Sequence, residues 1–323
     1  TTNLDVVDID GAVDMASTLQ VDGAATFSSL LEVAGTTNDA LLNLTGAGTS
    51  FELRATSGNG ASANTSLYRL ALDYGNGTAT NGFIDFYRGG AGNDGYLAFG
   101  SSGTERFRIA ADGSLSTPTL GTSNVRFGVN AGNSIASGGN YNTVVGDEAG
   151  TAITTGDANV AIGYNALDAE DTGNNNTAVG FLALTALNFN GDGYNTAVGT
   201  QAGAAVTTGV QNTFVGGLAG DALDVGSYNI AIGMNALTTD TKGSKSVAMG
   251  YDALGVQNFT SATDSFNTAI GHGAGRTITT GTQNTFIGGN AGDANTTASY
   301  NTAIGYASLG ANTTGADNTA VGR

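Results

Sequence analysis

The sequence predicts an all-β chain whose larger part is a parallel β-roll, a solenoid of stacked coils with a 17-residue unit. Three observations predict it. A five-residue phrase, Asn-Thr-Ala-Val-Gly or a close variant, closes at Gly146, Gly163, Gly180, Gly199, Gly216, Gly233, Gly250, Gly271, Gly288, Gly305 and Gly322, and a degenerate copy closes at Gly128. Successive spacings are 18, 17, 17, 19, 17, 17, 17, 21, 17, 17 and 17, so three copies carry insertions into a constant unit. Three residues after each glycine stands Ala (Ala131, Ala149, Ala166, Ala183, Ala202, Ala219, Ala236, Ala253, Ala274, Ala291), or Ser308 in the last full copy.

Each phrase reads as a short strand followed by its own turn. In Asn176-Thr177-Ala178-Val179-Gly180 the side chains of Thr177 and Val179 share one face and Ala178 points to the other. The Thr position is elsewhere Val160, Ile230 or Val247, and the Val position is Val, Ile or Met249. No charge enters the eleven cores from Gly146 onward. A strand apolar on both faces needs cover on both. One face fills the lumen of its own coil, and the other is expected to meet another subunit. The subunit contact is expected at the Ala position: Ala161, Ala178, Ala197, Phe214, Ala231, Ala248, Ala269, Phe286 and Ala303.

The remaining positions of the coil serve the stack. Asn opens most copies (Asn142, Asn159, Asn176, Asn195, Asn212, Asn229, Asn267, Asn284, Asn301, Asn318) and is expected to form a ladder of stacked side-chain amides. The closing glycine allows positive φ. The loops are Gly, Asn, Thr and Asp, turn formers with no core to serve. A coil of this length has room for two short strands and two turns. The segment Asn195–Leu237 recurs with changes at Asn267–Leu309, an offset of 72 residues, as though four coils had been duplicated together. The largest insertion, near Gln257–Ser265, is expected to bulge outward.

The phrase Ser246-Val247-Ala248-Met249-Gly250 resembles the S-V-A-I-G phrase of trimeric autotransporter adhesin heads, the YadA-like head. Its N-T-A-[VI]-G form is similar to repeats of bacteriophage tail fibres. The resemblance covers residues 124–323 and implies a left-handed β-roll that assembles as a homotrimer. The adhesin unit is usually shorter than 17, so the loops here are larger.

Two further segments precede the roll. Residues 1–35 carry a different repeat: Gly11, Gly23 and Gly35 are 12 apart, with Ile9, Val21 and Val33 two residues before them. Such repeats resemble the trimeric β-structured shafts of phage fibres. Residues 36–123 have no fixed period and read as a small antiparallel β domain, with strands at Ala40–Thr45, Ser50–Ala55, Ser66–Tyr74, Gly82–Arg88, Tyr96–Gly100 and Glu105–Ala110. Half of the ten basic residues lie there (Arg54, Arg69, Arg88, Arg106, Arg108), and Arg126 follows in the degenerate first copy. The run Glu105-Arg106-Phe107-Arg108-Ile109, then Asp112-Gly113-Ser114-Leu115, resembles a phrase common in tail fibres.

Composition narrows the chemistry. Net charge is −17, which disfavours nucleic acid and anionic membrane surfaces as partners. No apolar run reaches the length of a membrane helix, and residues 1–30 do not read as a signal peptide. The chain has no Cys, so no disulfide framework holds it. Thr1 is not a natural start, so the sequence reads as a portion of a longer chain. A single histidine, His272, leaves no His-based triad within one chain, although three copies could meet on a trimer axis. Carboxylates cluster at Asp168, Glu170 and Asp171 and at Asp147-Glu148. Paired carboxylates run glycoside hydrolysis, but these read as solvated loop residues with no aromatic wall. Their oxygens suit calcium without any EF-hand spacing, and no other metal or cofactor is expected. Rows of Thr raise ice binding, yet Val160, Ile230 and Val247 in the same row read as buried positions. Aromatics after the repeat glycine (Tyr164, Phe181, Tyr251, Tyr306) either pack between coils or form a row for glycan stacking, and Tyr141, Tyr194, Tyr228 and Tyr300 offer a second such row.

The expected protein is a homotrimeric fibre: a β-structured shaft (1–35), a small antiparallel β domain (36–123) and a β-roll (124–323). The resemblance implies a structural and adhesive phage tail fibre on the virion tail, attaching to a host-cell surface receptor, a glycan, and joined to other tail or baseplate proteins. Enzymatic activity is not expected. The alternatives are a trimeric autotransporter-type adhesin of the bacterial surface and an extracellular filament subunit.

Overall fold

The computed structural model describes residues 65–74, 79–88, 95–117 and 120–323. The 12-residue repeat and the candidate strands Ala40–Thr45 and Ser50–Ala55 lie outside the described residues. Among these residues there is no helix, and all regular structure is β. A five-stranded antiparallel sheet comes first: β1 (Thr65–Tyr74), β2 (Ala79–Arg88), β3 (Tyr96–Ser101), β4 (Thr104–Ile109) and β5 (Leu115–Ser116), paired in chain order. The four expected strands in this stretch are found within a few residues of their places. Arg69 clamps the buried carboxylate of Asp85 through Nε (2.7 Å) and Nη2 (2.5 Å). Arg108 likewise grips the partly exposed carboxylate of Glu105 through two nitrogens and lies 3.9 Å over the Tyr96 ring.

The second sheet is parallel and has twelve strands, one per coil. They are β6 (Val125–Phe127), β7 (Thr143–Val145), β8 (Val160–Ile162), β9 (Thr177–Val179), β10 (Thr196–Val198) and β11 (Thr213–Val215). They continue through β12 (Ile230–Ile232), with β13 (Gly243–Ser244) set aside, β14 (Val247–Met249), with β15 (Thr263–Asp264) set aside, β16 (Thr268–Ile270), β17 (Thr285–Ile287), β18 (Thr302–Ile304) and β19 (Thr319–Val321). Every pair is in register, so Ala178 stands beside Ala161 and Ala197, and Val179 beside Ile162 and Val198. Each coil contributes one strand to this sheet rather than the two expected. The rest of the coil is turn, closed locally by bonds such as Ile153 N–H to Gly150 O (3.2 Å) and tied to the next coil by bonds such as Gly150 N–H to Ala166 O (2.9 Å). The 21-residue coil adds β15, which pairs with β13 and holds the insertion down. Thr260, Ser261 and Ala262 are exposed there, while Gln257, Phe259 and Ser265 are buried.

The two faces of the strand are the reverse of the sequence expectation. Ala161, Ala178, Ala197, Phe214, Ala231, Ala248, Ala269, Phe286 and Ala303 each have 0% of their surface exposed in the single chain. They fill the lumen together with the Ala that follows each glycine. A side chain with no surface left has none to offer another subunit, so the Ala face is not the contact. The outward face is the Thr/Val face, where Ile162, Val198, Val215, Ile230, Ile270, Ile287 and Ile304 are each 36–38% exposed.

Lumen volume is conserved by pairing large with small. The fourth residue after the closing glycine is Gly132, Gly150, Leu167, Leu184, Gly203, Gly220, Leu237, Leu254, Gly275, Gly292 and Leu309 in successive coils. All have φ between 48° and 62°, a left-handed conformation that costs leucine about 1–2 kcal/mol. Glycine stands where the Ala position holds a larger residue. A Cβ on Gly203 or Gly220 would lie 2.7 or 2.4 Å from Phe214, and one on Gly275 or Gly292 would lie 2.8 or 2.5 Å from Phe286. Gly132 and Gly150 flank Val144 in the same way. Where the Ala position holds alanine, leucine fills the space, fully buried at Leu167, Leu184, Leu237 and Leu254.

The Asn ladder is buried, and it runs from side chain to backbone. Asn159 N–H donates to Asn142 Oδ1 and Asn176 N–H to Asn159 Oδ1, each at 2.9 Å, while Asn142 Nδ2 donates to Gly156 O at 2.8 Å. Direct amide-to-amide bonds are confined to a few rungs, such as Asn318 to Asn301 (3.0 Å). The closing glycine is required twice over. Gly180 has φ 142°, and a Cβ on it would stand 2.3 Å from the carbonyl oxygen of Gly199 in the next coil.

Candidate binding surfaces

The outward sheet face is uncharged at every Thr and Val position from β6 to β19. Beside it run two rows of exposed side chains. One precedes the ladder Asn and includes Tyr141, Tyr194, Tyr228, Phe266 and Tyr300, each about half exposed or more. These residues hold positive φ, which lets the chain turn out of the strand and leaves the ring in solvent. The other row follows the closing glycine and holds the four residues expected to stack on glycans. Tyr164, Phe181, Tyr251 and Tyr306 are all exposed. They do not form one continuous row. Tyr164 stacks on Phe181 (centroids 5.5 Å apart), and Tyr251 stacks on His272 (5.2 Å). Tyr306 stands apart, 5.6 Å from the Arg323 guanidinium. Thr200, Gly217 and Gly289 occupy the same row and interrupt it. Within each pair the rings turn faces toward one another, which is packing between coils, and what the pair offers a sugar is its outer ring faces and edges.

Four of the five clustered acidic residues, all but Asp147, bond within the stack. Asp168 accepts from Thr185 Oγ1 (2.7 Å), Asp171 from Thr154 Oγ1, and Glu148 from Asn130 Nδ2 (2.8 Å). Glu170 is not a solvated loop carboxylate, as the sequence suggested. It is fully buried and accepts from the N–H groups of Gly173 (2.8 Å) and Phe189 (3.4 Å). Burial pushes its pKa above the ordinary carboxylate value. Asp240, four coils on, is its counterpart. It is buried, accepts from Gly243 and Phe259 N–H (both 3.0 Å) and from Gln257 Nε2 (2.6 Å), and burial likewise raises its pKa. Gln257 also bonds Ser246 and Asn267, bridging the one rung where Ser replaces the ladder Asn. Sequence reasoning missed this network. Its signal was position: Glu170, Asp240 and Gln257 stand seven residues after a closing glycine, where other coils carry Ile153, Leu187, Val206, Leu223 or Ile278.

Among the described residues no three His, Cys, Asp or Glu side chains come together in a way that could hold a metal ion. No helix among them is long and apolar enough to cross a membrane. No protein-family model matches the chain, and neither does any curated protein or solved structure.

Proposed function

We propose that this chain is a structural and adhesive part of a virion fibre, a phage tail fibre in which three copies associate and present binding surfaces to a host cell. The observation that carries the reading is the outward sheet face: rung after rung of half-exposed Val and Ile, without one charge, on a chain of net charge −17. Copies that repel one another elsewhere can approach along such a strip. A second copy also has the same rung spacing, so its rows of Val and Ile meet these rows all along the stack. The reading is supported by the resemblance of the Asn-Thr-Ala-Val-Gly repeats to those of tail fibres and adhesin heads. In this role the protein works by avidity from a rigid support rather than by chemistry, and the aromatic platforms at Tyr164–Phe181 and Tyr251–His272 touch surface glycans. The test is adsorption. Fluorescently labelled protein is expected to bind whole bacterial cells saturably and to lose that binding when cell-surface polysaccharide is stripped. Binding that is absent from every strain tested, with a mass by light scattering of one chain, rejects the reading.

A further inference from the structure

The first coil differs from the eleven that follow at the position that faces the lumen. Its strand sets Arg126 beside Val144, in the row that elsewhere carries Ala, Val or Phe. Arg126 is half-buried, and its Nε donates to the carbonyl of Ala131 at 2.6 Å. Loss of solvent pulls its pKa below the usual arginine value, and no carboxylate among the described residues lies within ion-pair distance. Four other basic residues among the described ones do have a carboxylate partner. Arg69 has Asp85, Arg108 has Glu105, Lys245 has Asp264 and Arg276 has Asp252. Lys242, Arg323 and Arg106 have none among the described residues, and Arg106, the neighbour of Arg126, reaches the Ser101 hydroxyl at 3.2 Å.

Arg106 and Arg126 line one cavity of about 330 Å³, where the β3–β4 hairpin meets the first coil. Thr104, Glu105 and Thr117 share its wall. The Glu105 carboxylate is engaged at both oxygens by Arg108 and forms no ion pair with Arg106 or Arg126. The Thr117 hydroxyl is buried and has no hydrogen-bond partner. A partly buried cation such as Arg126 is costly unless something pairs with it. With 27 acidic residues against 10 basic ones, the chain had ample carboxylate to do so.

We propose that this cavity binds an oxyanion, a carboxylate or sulfate group, of a ligand no larger than a single sugar. Two guanidinium groups supply charge-assisted donors suited to a planar or tetrahedral oxyanion. The volume lies at the small end of ligand sites, roughly 300–1,000 Å³. The inference does not depend on the fibre reading.

Calorimetric titration of the full chain at fixed ionic strength with sodium sulfate, sodium glucuronate and glucose tests it. Sulfate and glucuronate are expected to bind, and glucose to give no heat. Glucuronate binding at least tenfold tighter than sulfate identifies an acidic sugar as the ligand, and equal affinities identify the oxyanion alone. Arg106→Gln is expected to weaken both anions at least fivefold without moving Tm, and Arg126→Gln to abolish binding. Should Arg126→Gln fail to fold, the exposed Arg106 decides the matter by itself. Absence of anion binding, equal binding by glucose, or unchanged affinity in Arg106→Gln overturns the proposal.

Discussion

At Gly220 the backbone holds φ 59°, and the Phe214 ring fills the space where a side chain would go. The two residues are one packing decision made 6 positions apart in the chain. Phe214→Ala alone is expected to cost about 3–5 kcal/mol, the usual penalty for emptying an aromatic site in a core. Gly220→Leu alone is expected to prevent folding, because its Cβ would lie 2.4 Å from the ring. Together they restore the arrangement the chain already uses at Leu184 above Ala178, so the double variant is expected to be more stable than either single one. Equilibrium unfolding of the three variants measures that coupling. An additive result would mean that the lumen does not fill in this way.

The coil is the element of this protein, and its longer versions are held by buried acids. Glu170 reaches forward to the N–H of Phe189 in the 19-residue coil, and Asp240 to that of Phe259 in the 21-residue coil. A carboxyl group whose pKa is raised on folding binds its proton more tightly in the folded state. Its contribution is therefore complete at low pH and falls as pH rises from the ordinary glutamate value of 4.5 through the folded one. Melting temperature is expected to fall over that window in the parent and to fall less steeply in Glu170→Gln. Parallel slopes would show that Glu170 takes no part.

Much of the coil was legible from residues alone. Position-specific Gly, Asn and Ala with constant spacing admit few structures other than stacked turns. Which face of the strand points inward was not legible, because Ala178 and Val179 are both apolar and alternation without polarity has no direction. The deciding clue lay outside the strand, in the Gly203 and Gly220 pair that makes room for Phe214. Glu170 was misread for a related reason: a charge in a Gly- and Asn-rich stretch looks solvated until its place in the lumenal row is seen. The four aromatic residues after the closing glycine stand exposed, and the interruption of their row by Thr200, Gly217 and Gly289 becomes visible only when the coils are stacked.

At the scale of the whole molecule, the proposed association and the internal core now depend on different residues and can be broken separately. Val198→Asp on the outward face is expected to reduce the mass seen by light scattering from three chains to one while the β signal in circular dichroism persists. Ala178→Asp is expected to unfold the coil, since an unpaired charge buried in the lumen costs several kcal/mol. Thr260→Asp, on the exposed part of the insertion, should change neither, as surface substitutions usually stay within about 0.5 kcal/mol. A Val198→Asp protein that keeps the parent's mass would move the contact away from this face.

The direction of the hydrogen bonds has a mechanical consequence. Thr177 N–H donates to Asn195 O, Gly180 N–H to Ile162 O and Asn176 N–H to Asn159 Oδ1, so the strand, its turn and its ladder all bond from coil to coil. A pull applied to the chain ends therefore loads these rungs in series, and only the outermost rung resists at any moment. Tension along the stack is expected to strip a single chain one coil at a time, each 17-residue coil releasing up to about 56–61 Å of extended backbone, visible as evenly spaced steps in a single-molecule extension trace. Compression along the same direction closes the rungs against one another. The solenoid is thus built to push rather than to be pulled, and any tensile strength it has must come from what binds across its outward face.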